Sequence, residues 1–336
     1  MKSSPKNRGL ICIGRSGVDL YPMQYGRLED VLSFTKHVGG SPANTAVQAA
    51  KLGADTAFLG KVSQDGFGSY VREYLHSVGI DVTHLTKVDD PQIRHSLAVA
   101  HQPEHGKISY FFYRTMPADQ FLDIDDVDLN FLKQFKLCLI SGASLSVGPS
   151  REAVLYAMEL ASQNRVKIAF DPDYREMGWE GHKQAQLYNW MAAQRAQLIC
   201  ATKEEFELAT ACSGAQDERN AVYKLLDRGA EMICIKNGLH GAEFYLQDGS
   251  TFRSMPMPAR VQKSLGAGDS FMGTLLAMHL RGMPLQTSAQ YAAASASITI
   301  SGRSCSDSMP DWETLNSYMS AYQKSELDAW FDAYLR

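Results

Sequence analysis

Gly266-Ala267-Gly268-Asp269-Ser270-Phe271-Met272 marks the place where this chain stops alternating between element types and becomes helical. Phe271, Met272, Leu275 and Leu276 recur at helical spacing until Gly282 and Pro284 end the run. Ala259 to Leu265, just upstream, are partly apolar and read as extended. The stretch predicts a helix whose first turn holds three small residues and one carboxylate. A helix start offers unpaired N–H groups and the positive end of the dipole, and glycines leave that backbone open to a polyphosphate. Asp269 in the same turn is placed to accept a proton from an attacking hydroxyl. An ordinary helix start has the same composition, so the rest of the chain has to decide.

Upstream, short apolar runs alternate with longer helical patterns, the signature of βα units around a mostly parallel sheet. Strands are expected at Leu10–Ile13, Thr56–Val62, Leu137–Ile140, Lys167–Phe170, Gln197–Cys200 and Met232–Ile235. Helices are expected at Pro42–Leu52, Gly66–Val78, Pro149–Gln163, Lys183–Gln194, Lys203–Ala211 and Glu218–Arg228. Ser41 is a natural cap for the first, with Pro42 at its first helical position and Gly53 past its end. Ala242–Leu246 and Thr251–Met255 flank Asp248-Gly249, a strong hairpin signal. Leu315–Tyr322 and Leu327–Leu335 end the helical tail.

Two segments break the alternation. Residues 18–38 contain no convincing helix, and Ile93–His101 with Lys107–Arg114 read as a hairpin turning at Pro103-Glu104-His105-Gly106. Two strand-rich insertions, about 18–38 and 93–114, in one α/β domain spanning 1–336 predict a small accessory sheet able to act as a lid. An exposed edge of that sheet is a candidate surface for homo-oligomerisation.

Composition narrows the function. The chain has 336 residues, 45% of them hydrophobic and 21% charged, enough for a large core. A net charge of −4 gives no global attraction to nucleic acid or to an anionic membrane. Lys2, Lys6 and Arg8 read as a short solvated arm. The run Leu10 to Ile13 is too short for a signal core or a membrane span, so the cytoplasm is expected. The six cysteines form no C-x-x-C pair, and four lie in apolar strand-like runs, which predicts buried free thiols. His101 and His105 are separated by Pro103, which argues against zinc. Gly14 and Gly17 lack the third glycine of a dinucleotide fingerprint.

A second glycine cluster, Gly39-Gly40-Ser41-Pro42-Ala43-Asn44, precedes the first long helix. Asn44 in its first turn has both a donor and an acceptor for a ligand hydroxyl, or serves its own helix end. Asp19, after the first strand, either binds paired hydroxyls or is a solvated turn residue. The two clusters, in this order and about 225 residues apart, resemble the signatures of the ribokinase-like, or PfkB, family of carbohydrate kinases. That resemblance covers about residues 9 to 310. It implies a three-layer α/β/α body with a mostly parallel central sheet and a small β-sheet lid, using ATP and Mg2+.

The resemblance also implies roles. Asp269 is the expected base, and Gly266, Ala267 and Gly268 the anion turn; Asp19, Gly40 and Asn44 are expected to meet the sugar. Phe34 to Asn44, Asp171 to Arg175 and Ser306 to Pro310 most resemble the branch that phosphorylates a deoxy keto sugar acid in inositol catabolism. Kinases of 2-keto-3-deoxygluconate or of neutral sugars such as fructose are the alternatives, and a sugar-binding scaffold without turnover is the alternative outside enzymes. An acid substrate also suits Arg114, at the end of the hairpin, and Arg175, after the Lys167–Phe170 strand. A guanidinium fork matches a carboxylate, although each arginine is equally placed for a surface ion pair.

Glu205, in Thr202-Lys203-Glu204-Glu205, corresponds to a glutamate holding magnesium through water in the family; Thr202 replaces the usual Asn. Lys236, Gly238 and Gly241 resemble the loop beside the nucleotide, and residues 292–304 the adenine-lining helix. Lys263-Ser264 stands where many members have Asp-Thr at a monovalent-cation site, so the Lys263 ammonium is expected to replace that cation.

Overall fold

A computed structural model describes residues 8–104 and 107–335. Its strands, in chain order, are β1 (Arg8–Ile13), β2 (Gly17–Pro22), β3 (Phe34–Gly39), β4 (Thr56–Val62), β5 (Leu85–Lys87), β6 (Leu97–Glu104), β7 (Lys107–Tyr113), β8 (Phe135–Ser141), β9 (Lys167–Asp171), β10 (Leu198–Thr202), β11 (Met232–Lys236), β12 (Ala242–Leu246) and β13 (Thr251–Ser254). The helices are α1 (Ser41–Lys51), α2 (Gly66–Ser77), α3 (Leu129–Leu132), α4 (Ser150–Gln163), α5 (His182–Ala193), α6 (Lys203–Thr210), α7 (Ala215–Asp227), α8 (Ala267–Leu280), α9 (Leu285–Ser301), α10 (Trp312–Gln323) and α11 (Leu327–Tyr334).

Nine strands form one sheet in the order β13-β12-β11-β10-β9-β8-β1-β4-β5, parallel from β11 to β5 and antiparallel at the β11-β12-β13 edge. Alternate residues of each strand enter opposite cores. Leu10 and Cys12 pack under α1, α2, α8 and α9, whereas Ile11 and Ile13 pack under α4, α6 and α7. Burial on both faces explains why these strands read as unbroken apolar runs. Cys12, Cys138, Cys200 and Cys234 sit in them as buried free thiols. Among the described residues no helix is long and apolar enough to cross a membrane.

β1 lies inside the sheet, with β4 on one side and β8 on the other. Parallel sheets open a crevice at such a switch point, beyond the carboxyl ends of the strands. The second sheet, β3-β2-β6-β7, stands over that end, and its strands come from both insertions. The first strand of the hairpin ends later than expected, because Pro103 and Glu104 continue β6; His105 and Gly106 lie outside the described residues. It also starts later, leaving His95 and Ser96 buried ahead of β6.

Three local expectations are corrected. Arg8 is not part of a solvated arm: it opens β1, pairs with Asp55 at 3.0 Å and Asp81 at 2.6 Å, and lies 4.6 Å from the Phe135 ring centre. Two carboxylates and an aromatic face hold the side chain down; Lys2 and Lys6 lie outside the described residues. Ser41 is the first residue of α1, not its cap. The cap is Gly40, whose φ of 92° suits glycine. Residues 259–265 form no strand, because their backbone turns away to meet α9, with the Gln262 N–H donating to the Ile300 carbonyl at 2.9 Å.

Helices α1 and α8 pack closely because Gly273 has no side chain. A Cβ there would lie 2.6 Å from Gln48 Cβ and 2.7 Å from the Thr45 carbonyl oxygen. Below this contact, the Ser270 hydroxyl is 3.2 Å from Gln48 Oε1 and 2.7 Å from the Ser295 hydroxyl. The packing brings the amino ends of the two helices together over the crevice.

Candidate active site

Gly266 is the left-handed cap of α8, with φ 88°, and Ala267, Gly268 and Asp269 form its first turn. Side chains that would screen these N–H groups are missing. The ammonium of Lys236, at the end of β11, lies 3.3 Å from where a Cβ on Gly268 would be. Burial opposes its charge, but Cys200, Asp171 and Glu205 raise its pKa overall. A lysine beside free helix-start donors is suited to a phosphate chain.

Asp269 Oδ2 accepts from Asn44 Nδ2 at 2.8 Å. Burial raises the Asp269 pKa, as does Asp173, while Asn44, Ser41 and Arg175 work in the other direction. Asn44 keeps a buried carbonyl oxygen without a partner. Its amide thus holds the carboxylate with one end and offers an acceptor with the other.

Asp19, on β2, is buried and its pKa rises to about 6: burial is the main cause, Arg15 opposes it and Asp269 adds to it. Gly40 lies below, against Arg15 and Ser16; a Cβ there would lie 2.9 Å from the Arg15 carbonyl. Asp19, Gly40, Asn44 and Asp269 are therefore brought together from β2, the α1 cap, α1 and α8.

The two arginines read from the sequence are already paired. Arg114 donates to Asp119 at 2.8 Å and Arg175 to Asp173 at 2.7 Å, both carboxylates being buried. Asp173 has a left-handed backbone, φ 37°, and its Oδ2 accepts from the Ser141 hydroxyl at 3.5 Å. Asp171 accepts from the Ser41 hydroxyl at 3.3 Å, and burial holds its pKa well above the usual carboxylate range.

Glu205 and Thr202 form a capping box on α6: the Thr202 N–H donates to Glu205 Oε2 at 2.8 Å and the Glu205 N–H to the Thr202 hydroxyl at 3.2 Å. The other Glu205 oxygen accepts from the Tyr174 N–H at 3.1 Å, bracing the loop that carries Arg175. Each oxygen retains a lone pair for water. Among the described residues no group of three or more His, Cys, Asp or Glu could hold a metal. This donor set fits a cation carried on phosphates and met through water.

Lys263 is buried, and its ammonium donates to the Leu265 carbonyl at 2.7 Å and the Thr299 carbonyl at 3.1 Å. Burial lowers its pKa, while Cys305, Asp19 and Asp269 hold it up. Gly238 and Gly241 shape the exposed turn from β11 to β12, where the Asn237 N–H donates to the Gly241 carbonyl at 2.7 Å.

Sequence reasoning missed Arg15, Asp119 and the hydroxyl of Ser41. Arg15 follows β1 by two residues, at the switch point, which was a readable signal. Asp119 lies in an irregular stretch with no motif, and only its contact with Arg114 reveals it.

An open anion turn, a buried carboxylate held at its edge, and a small sheet covering both are the arrangement of a sugar kinase. Residues 7–312 match the model of the pfkB family carbohydrate kinase. The 5-dehydro-2-deoxygluconokinase of Lacticaseibacillus casei is 38% identical over 326 residues, 96% of this chain and 99% of that protein. The Bacillus subtilis (strain 168) protein of the same name is 33% identical over 313 residues, 93% and 96% of the two chains. A double mutant of the Vibrio cholerae O395 fructokinase, with fructose, ADP and a potassium ion bound, superposes with a TM-score of 0.81 at 23% identity, covering 94% of this chain and 99% of its own. This chain belongs to the pfkB family of carbohydrate kinases.

Proposed function

We propose that this kinase transfers the γ-phosphoryl group of ATP to the primary (C6) hydroxyl of 5-dehydro-2-deoxy-D-gluconate, a step of inositol catabolism. Two full-length relatives bear the name of that activity. The observation that carries the chemistry is the Asn44–Asp269 contact beside the open turn at Gly266, Ala267 and Gly268.

Phosphoryl transfer needs in-line positioning and charge neutralisation more than covalent help. Asp269 takes the proton of the primary hydroxyl as its oxygen attacks the γ-phosphorus, and ADP departs. The backbone N–H groups of Ala267 and Gly268 and the Lys236 ammonium face the charge on the transferred group. Glu205 would hold magnesium through water, and the ion would supply neutralisation of the phosphate charge. Asp19, Gly40 and Asn44 orient the sugar hydroxyls, and Arg114 and Arg175 add positive charge near its acid end. Lys263, held by two carbonyls, supplies a fixed cation behind the turn. Closure of the small sheet over the sugar excludes water from the reaction.

The test is an ADP-release assay across 5-dehydro-2-deoxygluconate, 2-keto-3-deoxygluconate, fructose, ribose and a nucleoside. The first substrate should be used with the highest kcat/KM. Preference for another sugar overturns the substrate assignment, and no ADP release with any of them leaves a binding scaffold.

A further inference from the structure

Among the described residues Arg15 forms no ion pair. It follows the carboxyl end of β1, at the switch point of the large sheet, and is only 6% exposed. Its Nε has no hydrogen-bond partner. Arg15 takes part in none of the ion pairs among the described residues, whereas its neighbours Arg114 and Arg175 are matched by Asp119 and Asp173. The guanidinium lies 6.0 Å from the ring centre of Phe112, on β7 of the small sheet, so it is enclosed between body and lid.

Leaving a guanidinium buried without a partner is costly. No carboxylate felt there forms an ion pair with Arg15 among the described residues. Arg114 and Arg175 repel it; Asp119 and Asp173 attract it but each is bonded to one of those arginines, Asp119 through Oδ2 with Oδ1 left without a partner. Asp19 feels its field, and His95 is held neutral by burial. Burial and the two arginines lower the Arg15 pKa only to about 10, so it remains a cation at neutral pH.

We propose that Arg15 is the residue that reads the acid end of the substrate, its unpaired guanidinium binding the carboxylate while Asp269 faces the hydroxyl to be phosphorylated. This rests on the sugar-acid reading above. The fork of N–H donors matches two carboxylate oxygens, and an amide or alcohol in their place leaves the cation uncompensated. The site thus selects for acids by the cost of leaving Arg15 unpaired.

The full-length enzyme, Arg15→Met and Arg15→Lys are compared on 5-dehydro-2-deoxygluconate and on its primary amide, with thermal midpoints measured without substrate. The wild type should favour the acid by ~100-fold in kcat/KM, and Arg15→Met should lose that preference through KM with kcat nearly unchanged. Arg15→Lys, which keeps the charge but not the fork, should fall between them. The midpoint of Arg15→Met should equal or exceed the wild-type value, because an unpaired buried charge has been removed. An Arg15→Met enzyme that keeps the wild-type preference overturns the inference alone. So does one whose KM rises equally for acid and amide, since that marks packing. A wild type inactive on the acid overturns the substrate reading together with it. Should Arg15→Met fail to fold, wild-type discrimination in Arg15→Lys overturns the proposal.

Discussion

Asn44 Nδ2 donates to Asp269 Oδ2 at 2.8 Å across 225 residues of sequence, tying the first turn of α1 to the first turn of α8. The bond has two effects: it aims the carboxylate and opposes the rise in its pKa. Asp269→Asn should lower kcat by ~100- to 10,000-fold while ATP still binds. Asn44→Ala should leave a slower enzyme whose acid limb in kcat/KM moves to higher pH, because the ionised form loses a donor. A pH profile that keeps its wild-type limb would remove the pairing from the mechanism.

Asp19 carries a stability signature. Its pKa is about 6 in the folded chain against 3.8 for a free aspartate, chiefly through burial. The folded state holds the proton more tightly, so the contribution of Asp19 to stability is greatest below pH 4 and is lost as pH rises through 6. Asp19→Asn should therefore be more stable than wild type at pH 7, by at most about 3 kcal/mol, with the difference vanishing near pH 4. Denaturant unfolding of both proteins between pH 4 and 7.5 checks this, and sugar affinity should fall in the variant.

Lys263 ties Leu265 to Thr299 with one ammonium. Rates in potassium and tetramethylammonium buffers should be the same for the wild type. Lys263→Ala should lose about 1–3 kcal/mol of stability through its unpaired carbonyls, and potassium should restore part of its activity. A strong potassium requirement in the wild type would refute the replacement of the cation by Lys263.

Arg114 and Asp119 form a pair in which the carboxylate side chain is 4% exposed and the guanidinium 16%. Arg114→Met strands that carboxylate and should cost about 3–5 kcal/mol, the expected penalty for one half of a buried pair. Changing Asp119 to Leu in the same protein should recover much of the loss. Equal unfolding midpoints for Arg114→Met and wild type would show that the pair is not maintained in solution.

The order of elements was legible because strands buried on both faces read as apolar runs and helices as one-sided stripes. Leu10–Ile13 and Lys167–Phe170 fell within one or two residues of β1 and β9. The short β5 was not legible, since Leu85–Lys87 contributes a single buried residue. Arg8 misled because charge near a chain start looks solvated until Asp55 and Asp81 are brought to it.

The sequence by itself determined the βα alternation, the strand-rich insertions and the two glycine turns, because each depends on patterns within a dozen neighbouring residues. Only the tertiary structure decided which charges are matched. Arg15, Arg114 and Arg175 carry the same guanidinium, and nothing local distinguishes them. Their difference comes from Asp119 and Asp173, placed beside two of them by the irregular chain after β7 and the loop after β9. Ion pairing depends on distance in space, and folding brings distant residues together in ways that sequence spacing does not record.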